Sequence, residues 1–264
     1  MAALISERAK SLHDQIEQLE SSSEELRARL QDAEIPQVIV EGPTDVKILN
    51  QVYRLFYPDQ QPMYEFISAA SAKKVVSFVL GLADLGREYP FPITGLLDDD
   101  NEGRSQFNDN KQNSYRGLAG TRLKTVDRVR GIYLGFLPKP EWVQDAEKTL
   151  KRQGNSSQLP VTIETLVSKE FMLASIAAEK ITFSDEMTKA KNANFEVSVN
   201  LSAELGHYLE DDDRYMVQKV DEQSKMQFSE HLQVNATLAD CEAFRPIFEW
   251  LEMTFRSFQE ARRE

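Results

Sequence analysis

Two short apolar runs in this chain each end in acid. Val38-Ile39-Val40 runs into Glu41, and Pro92-Ile93-Thr94-Gly95-Leu96-Leu97 runs into Asp98-Asp99-Asp100. Asp45 follows Glu41 by one helical turn, beyond Gly42-Pro43-Thr44. Carboxylates gathered at one point repel, and they hold protons unless a cation neutralises them. Hard oxygen ligands of this kind suit magnesium or manganese rather than zinc. Such ions promote phosphoryl transfer by polarising the phosphate, activating water and stabilising the leaving oxygen. Glu41, Asp45, Asp98 and Asp100 are therefore candidate metal ligands. Two other readings apply to the second acidic run: an EF-hand-like loop from Asp98 to Asp109, or an acidic turn that binds nothing. The EF-hand reading suffers from a strand-like run where a helix should precede the loop, and from aspartate where the last ligand should be glutamate.

For these acids to meet, the elements that carry them must end on the same edge. Val38–Val40 reads as a buried strand that Gly42-Pro43 turns into a helix through Leu49, Val52, Leu55 and Phe56. Further strands are expected over Met63–Ser68, 92–97 and Gly131–Leu137, with a helix from Ala72 to about Leu85 and a polar loop over Ser105–Asn113. Strand–helix–strand alternation at these spacings predicts a parallel sheet with helices on its faces. Parallel strands bring Glu41 and Asp98 to the carboxyl edge, where open α/β sheets place their ligands. Beyond it the pattern predicts a helix from Glu164 to about Ala178, an ambiguous stretch over Phe183–Ala203, and a strand at Met216–Val220. A helix through Lys225, Phe228 and Leu232 follows, then a terminal amphipathic helix over Cys241–Arg262. Residues 1–34 carry a heptad seam (Ile5, Leu12, Leu19, Leu26; Ala9, Ile16, Ser23, Leu30), the pattern of a coiled-coil arm that contacts a second chain, with a single long helix packed on its own domain as the other reading. The expected organisation is thus an arm over 1–34, an α/β domain over 35–235 with an insertion around 104–130, and a helical C-terminal part over 236–264.

Composition narrows the class. The chain has 264 residues, 41% apolar and 28% charged, as ordinary globular proteins do. No apolar run approaches the roughly 18 residues needed to cross a bilayer. One cysteine, Cys241, rules out an internal disulfide framework and fits a reducing cytoplasm. With only His13, His207 and His231 beside it, a conventional structural zinc site is excluded. The net charge of −12 makes the chain as a whole a poor binder of polyphosphate. Lys111–Arg152 departs from this balance, with ten basic residues against four acidic ones. That segment reads either as a local nucleic-acid surface, with Arg122, Lys124, Arg128 and Arg130 as its candidates, or as a solvated insertion. Asp211-Asp212-Asp213 reads as a surface loop.

Val40-Glu41-Gly42-Pro43-Thr44-Asp45 followed by Asp98-Asp99-Asp100 resembles the Toprim domain, shared by topoisomerases, primases, small maturation ribonucleases and OLD-family (overcoming lysogenization defect) nucleases. The Glu-Gly-x-Thr-Asp form is most similar to the OLD group, whose further Ser/Thr-x-Glu motif and downstream lysine match Thr162-Ile163-Glu164 and Lys225, with Lys219 the other candidate lysine. The resemblance covers roughly residues 36–235. It implies a Toprim-like fold in which Glu41, Asp45, Asp98, Asp100 and Glu164, assisted by Thr162, bind two magnesium or manganese ions. Lys225 would sit beside the scissile phosphate. The implied activity is nuclease cleavage of DNA, or of RNA such as tRNA, by an effector of antiphage defence. OLD nucleases usually carry a fused ABC-type ATPase, but no Gly-x-x-x-x-Gly-Lys-Ser/Thr loop occurs in this sequence. Either the nuclease works alone or a separate ATPase chain regulates it, with residues 1–34 as a docking or homo-oligomerising arm. A different class is also open: a non-catalytic subunit that assembles around such an ATPase.

Overall fold

The computed structural model describes residues 24, 28–30, 32–109, 116–152, 158–185, 187–192, 195–200, 215 and 218–263. The chain enters β1 (Gln37–Val40), α1 (Pro43–Phe56), β2 (Glu65–Ser68), α2 (Ala72–Asp84) and β3 (Ile93–Leu97). Then come α3 (Asn101–Asp109), β4 (Arg116–Gly117), β5 (Leu123–Asp127), β6 (Ile132–Phe136) and α4 (Glu141–Arg152). Six of these strands form one sheet in the order β2-β1-β3-β6-β5-β4. The first four run parallel, and β5 and β4 join antiparallel at one edge. The fold class is α/β, with a mostly parallel sheet flanked by helices.

The alternation of side chains along a strand explains the two layers that cover the sheet. Val38, Val40 and Leu96 face one core, built with Ile48, Leu49 and Val52 of α1 and with Phe228, Phe248 and Leu251 from the C-terminal part. Ile39, Ile93, Leu97 and Leu134 face the other, against Val75, Val76, Val79 and Leu82 of α2. The chain leaves β1 toward β2 over one face and returns toward β3 over the other. The boundary between β1 and β3 is therefore the topological switch point of the sheet.

The last third folds onto the first layer. A 3-10 turn (Ile163–Leu166) precedes α5 (Lys169–Ala177). The strands β7 (Phe183–Asp185), β8 (Met187–Asn192), β9 (Phe195–Asn200) and β10 (Gln218–Val220) follow. They pair antiparallel, β7 with β10 and β8 with β9. Then come α6 (Glu222–Asn235), a 3-10 segment (Ala239–Phe244) and α7 (Arg245–Ala261). The Tyr133 hydroxyl donates to the Thr254 carbonyl at 3.2 Å, tying α7 to the centre of the sheet.

Several expectations are corrected. Residues 101–109 form a helix rather than a polar loop, because Asp100 accepts from the Gly103 amide (2.8 Å) and starts it. A helix at this position also removes the EF-hand reading. The insertion contributes β4 and β5 to the sheet. The helix expected from Glu164 is broken after Leu166, where Ser168 accepts from the Phe171 amide (3.1 Å) and caps a new one. The terminal helix starts at Arg245, with Pro246 in its first turn, where its missing N–H costs nothing. Most of the heptad arm, His13, His207 and Asp211–Asp213 lie outside the described residues. At the arm's end, Leu30 is buried in the same layer as Ile39 and α2, so this member of the seam packs on its own domain.

Two glycines make the packing testable. A Cβ on Gly135 would lie 2.3 Å from the Arg122 carbonyl oxygen and 2.7 Å from Leu123 Cα, backbone atoms that cannot rotate away. Gly81, within α2, has nothing within 4 Å of its Cβ position. Gly135→Ala is expected to lose about 1–3 kcal/mol or more in denaturant unfolding, whereas Gly81→Ala gains about 0.5–1 kcal/mol.

Candidate metal and phosphate site

The site begins where β1 and β3 end side by side. The Glu41 carboxylate accepts the Asp98 amide at 2.9 Å, bridging the two strand ends across the switch point. Gly42 stays extended and the helix starts behind it, so Asp45 falls in the first turn of α1 and accepts the Gly42 amide at 2.8 Å. Glu41, Asp45 and Asp98 together line a small cleft with Val40, Leu96, Leu137 and Ile163. Its cavity volume of about 10 Å³ is roughly the room one water molecule occupies.

The middle aspartate has a different role from its neighbours. Asp99 is 2% exposed, and its carboxylate takes Arg104 at 2.6 Å, Arg122 at 2.6 Å and Lys139 at 3.5 Å. Burial opposes its charge, but hydrogen bonds and positive charge from Arg104 and Arg122 more than offset it and hold this carboxyl below its ordinary range. Its backbone makes a two-bond bridge with Val161, at 2.8 and 3.1 Å. That bridge delivers the next residues, Thr162-Ile163-Glu164, to the acidic edge.

Glu164 arrives there with only 1% of its surface exposed. Among the described residues, neither of its carboxylate oxygens nor the buried Thr162 hydroxyl has a hydrogen-bond partner. Its nearest cation is Lys225 in the first turn of α6, with Nζ 3.9 Å from Glu164 Oε1 and 3.0 Å from Glu222 Oε1. The start of α6 is pinned by Ser224, which accepts the Thr182 amide at 3.2 Å, and by the Thr182 hydroxyl, which donates to Asp221 at 2.9 Å. Lys219, the other candidate lysine, lies in β10 opposite Ser184.

Crowding and burial set the charge state of the cluster. Burial first, then repulsion from Asp100, Asp45 and Glu102, lifts Glu41 to about 7 against the pull of the Asp98 amide. Burial and Glu164 lift Asp45 to about 7, opposed by the Gly42 amide and Lys225. Asp98 is raised well above its ordinary value by burial and by Glu41, Asp45, Glu164 and Asp100. Burial disfavours the Lys225 ammonium, but Glu164, Glu222 and Asp98 outweigh it and raise this group.

The five carboxylates of the expected metal set (Glu41, Asp45, Asp98, Asp100 and Glu164) thus form one electrostatic neighbourhood, with Thr162 two residues before Glu164 in the chain and one oxygen of Asp100 spent on the Gly103 amide. Among the described residues, no three acidic, histidine or cysteine side chains already close around a single point. The donor set nevertheless fits a hard divalent cation. It consists of carboxylate and hydroxyl oxygens, those of Glu164 and Thr162 have no hydrogen-bond partner, and a bound charge would relieve the repulsion that now holds protons on the cluster.

The four basic candidates are differently placed. Arg122 is held by Asp99 and by the Leu137 carbonyl (2.6 Å). Lys124 lies 4.3 Å over the Phe107 ring, and Arg130 pairs with Asp127 and the Gly86 carbonyl. Arg128 also has a partner. Their charge is at least partly spent within the fold. Sequence reasoning missed Asp99, Arg104 and Gly103 as site builders. A Cβ on Gly103 would lie 2.2 Å from the Asp98 carbonyl oxygen, so only glycine lets α3 start this close to the acidic turn. The alternation of a strand end was the available signal, since Asp99 must point away from Asp98 and Asp100. No family model matches the chain, and neither a curated protein nor a solved structure matches it.

Two outcomes follow. Glu41 and Asp45 keep protons in the fold up to about pH 7 and release them near their ordinary values when unfolded. The folded state therefore binds more protons in this window, and stability falls as pH rises from about 4 to about 7. Thermal unfolding of cation-free protein should show this decline, and Asp45→Asn should flatten it. Asp99→Ala, which takes the carboxylate from Arg104 and Arg122 while Lys139 keeps Glu147, is expected to cost about 3–5 kcal/mol in denaturant unfolding.

Proposed function

We propose that this chain is a divalent-cation-dependent nuclease of Toprim type, similar to OLD-family effectors. The observation that carries the reading is Glu164: a buried carboxylate without hydrogen bonds, facing Lys225 and grouped with Asp45 and Asp98 at the switch point of the sheet. Glu41, Asp45, Asp98 and Glu164, with Thr162 and the second oxygen of Asp100, would hold magnesium or manganese. When bound, such ions supply a Lewis acid that polarises a phosphate and lowers the pKa of water.

The chain's own residues have distinct parts in this chemistry. Glu41 locks the ends of β1 and β3 together through the Asp98 amide, keeping the ligands in register. Lys225, fixed by its helix turn and by Glu222, presents positive charge to oxygens that become more negative in the transition state. Asp99 places the Thr162–Glu164 turn through its bridge to Val161. The apolar wall of Val40, Leu96, Leu137 and Ile163 limits water at the cleft, which strengthens these interactions. The favoured substrate is DNA, with structured RNA as the alternative. Regulation by a separate ABC-type ATPase in antiphage defence belongs to the same proposal.

The test is cleavage of supercoiled plasmid and of bulk tRNA with magnesium or manganese. Wild type should cut one of them, chelator should stop it, and Glu41→Gln and Lys225→Ala should each lower the rate by about 100-fold or more. Correctly folded protein that cuts neither substrate, alone or with a captured ATPase partner, would reassign the cluster to a non-catalytic assembly role.

A further inference from the structure

Across the Asp98-Asp99 turn from the acidic cleft lies a second, much larger one, of about 750 Å³. The two share a wall: Leu137 lines the first and Pro138 the second. Arg122 and Lys139, which hold Asp99, also line this larger cleft. Its far side is α4, which presents Gln144, Lys148 and Lys151, and its floor includes Pro246 and Trp250 of α7.

The character of this cleft is opposite to that of the protein. Four cationic side chains and two carboxylates (Glu147 and Glu249) line it, in a chain whose net charge is −12. Glu147 is taken by Lys139 at 2.6 Å and by the Leu159 amide at 2.9 Å, so its charge is neutralised locally. Lys148 is well exposed, and among the described residues its ion-pair partner is Asp145 on the surface, at 2.7 Å, a pair of the kind that contributes little in water. Gln144, Lys148 and Lys151 recur at helical spacing and share one face of α4. With about 1.5 Å of rise per residue they span roughly 10 Å, long enough to follow more than one phosphate of an extended strand. Pro138, Pro246 and the mostly buried Trp250 add an apolar wall beside these cations.

We infer that this cleft is the track for a single strand of nucleic acid, leading the substrate backbone past Lys151 and Lys148 to the acidic edge at Asp98. The inference rests on the nuclease reading for its direction, but binding in the track does not require catalysis. Lys148 and Lys151 contact phosphate, and Arg122 and Lys139 remain with Asp99 as the rigid end of the track. The charge of the strand is met here by a local surface that the chain's overall acidity conceals.

The experiment is fluorescence anisotropy of a labelled single-stranded oligonucleotide, carried out on the Glu41→Gln protein so that nothing is cut. A Lys148→Glu/Lys151→Glu variant should bind at least tenfold more weakly and show a shallower dependence of log affinity on log salt. Val234→Glu, 81% exposed in the last turn of α6, adds negative charge elsewhere and should leave affinity nearly unchanged. Equal weakening by both variants would overturn the track in favour of nonspecific repulsion, as would unchanged binding in the lysine variant. Cleavage by a wild-type background carrying the lysine changes, at unchanged KM, would overturn the track and leave the nuclease standing. Lysine-dependent binding without any cleavage would keep the track and remove the nuclease. Binding of an acidic peptide with the same lysine dependence, and none of the oligonucleotide, would assign the cleft to a protein partner and overturn the inference.

Discussion

The arrangement of this protein turns on Asp99, a carboxylate buried with three cations at the end of a strand. Its side chain and its backbone do different work. The side chain collects Arg104 from α3, Arg122 from the antiparallel edge and Lys139 from the start of α4, so three separate elements are held to one atom group. The backbone joins Val161, drawing a distant segment alongside the strand end. Burying charge is costly unless partners and hydrogen bonds satisfy it, and here they do. Once this tie is made, Asp98 and Asp100 are left on the other side of the turn.

That other side carries the opposite electrostatic condition. Glu41, Asp45 and Asp98 are crowded and desolvated, and these three keep protons at pH values where surface carboxylates are charged. Such an arrangement lowers stability and persists where the fold over-determines it. The amides of Asp98 and Gly42 and the ammonium of Lys225 supply part of the missing positive charge. The remainder is what a divalent cation would add, and the hard oxygen chemistry of the donors is consistent with it.

The two clefts place contrary surfaces on either side of one turn. The small one is acidic and walled by apolar side chains, and the large one is lined by lysine, arginine and the edge of an indole. Leu137-Pro138 separates them. The net charge of the chain is a poor guide to this surface, because the cations of the segment after β4 divide between internal partners and the larger cleft.

A good part of this was legible in the sequence. Apolar triplets ending in acid, with Gly42-Pro43 behind one of them, determined two strand ends and a helix start, because strand formers, turn residues and amphipathic spacing act locally. The parallel order of β1 and β3 followed from the alternation of elements, and with it the meeting of Glu41, Asp45, Asp98 and Asp100. Thr162, Glu164 and Lys225 came only from a resemblance, since no local pattern says that residues so far apart in the chain should share a cleft. What the tertiary structure decided was how those distant pieces arrive: the Asp99–Val161 bridge, the pinning of α6 by Thr182, and the diversion of Arg122 and Arg130 to internal partners. Those outcomes depend on pairings across the fold, where long-range hydrogen bonds and burial of charge override what each segment prefers alone.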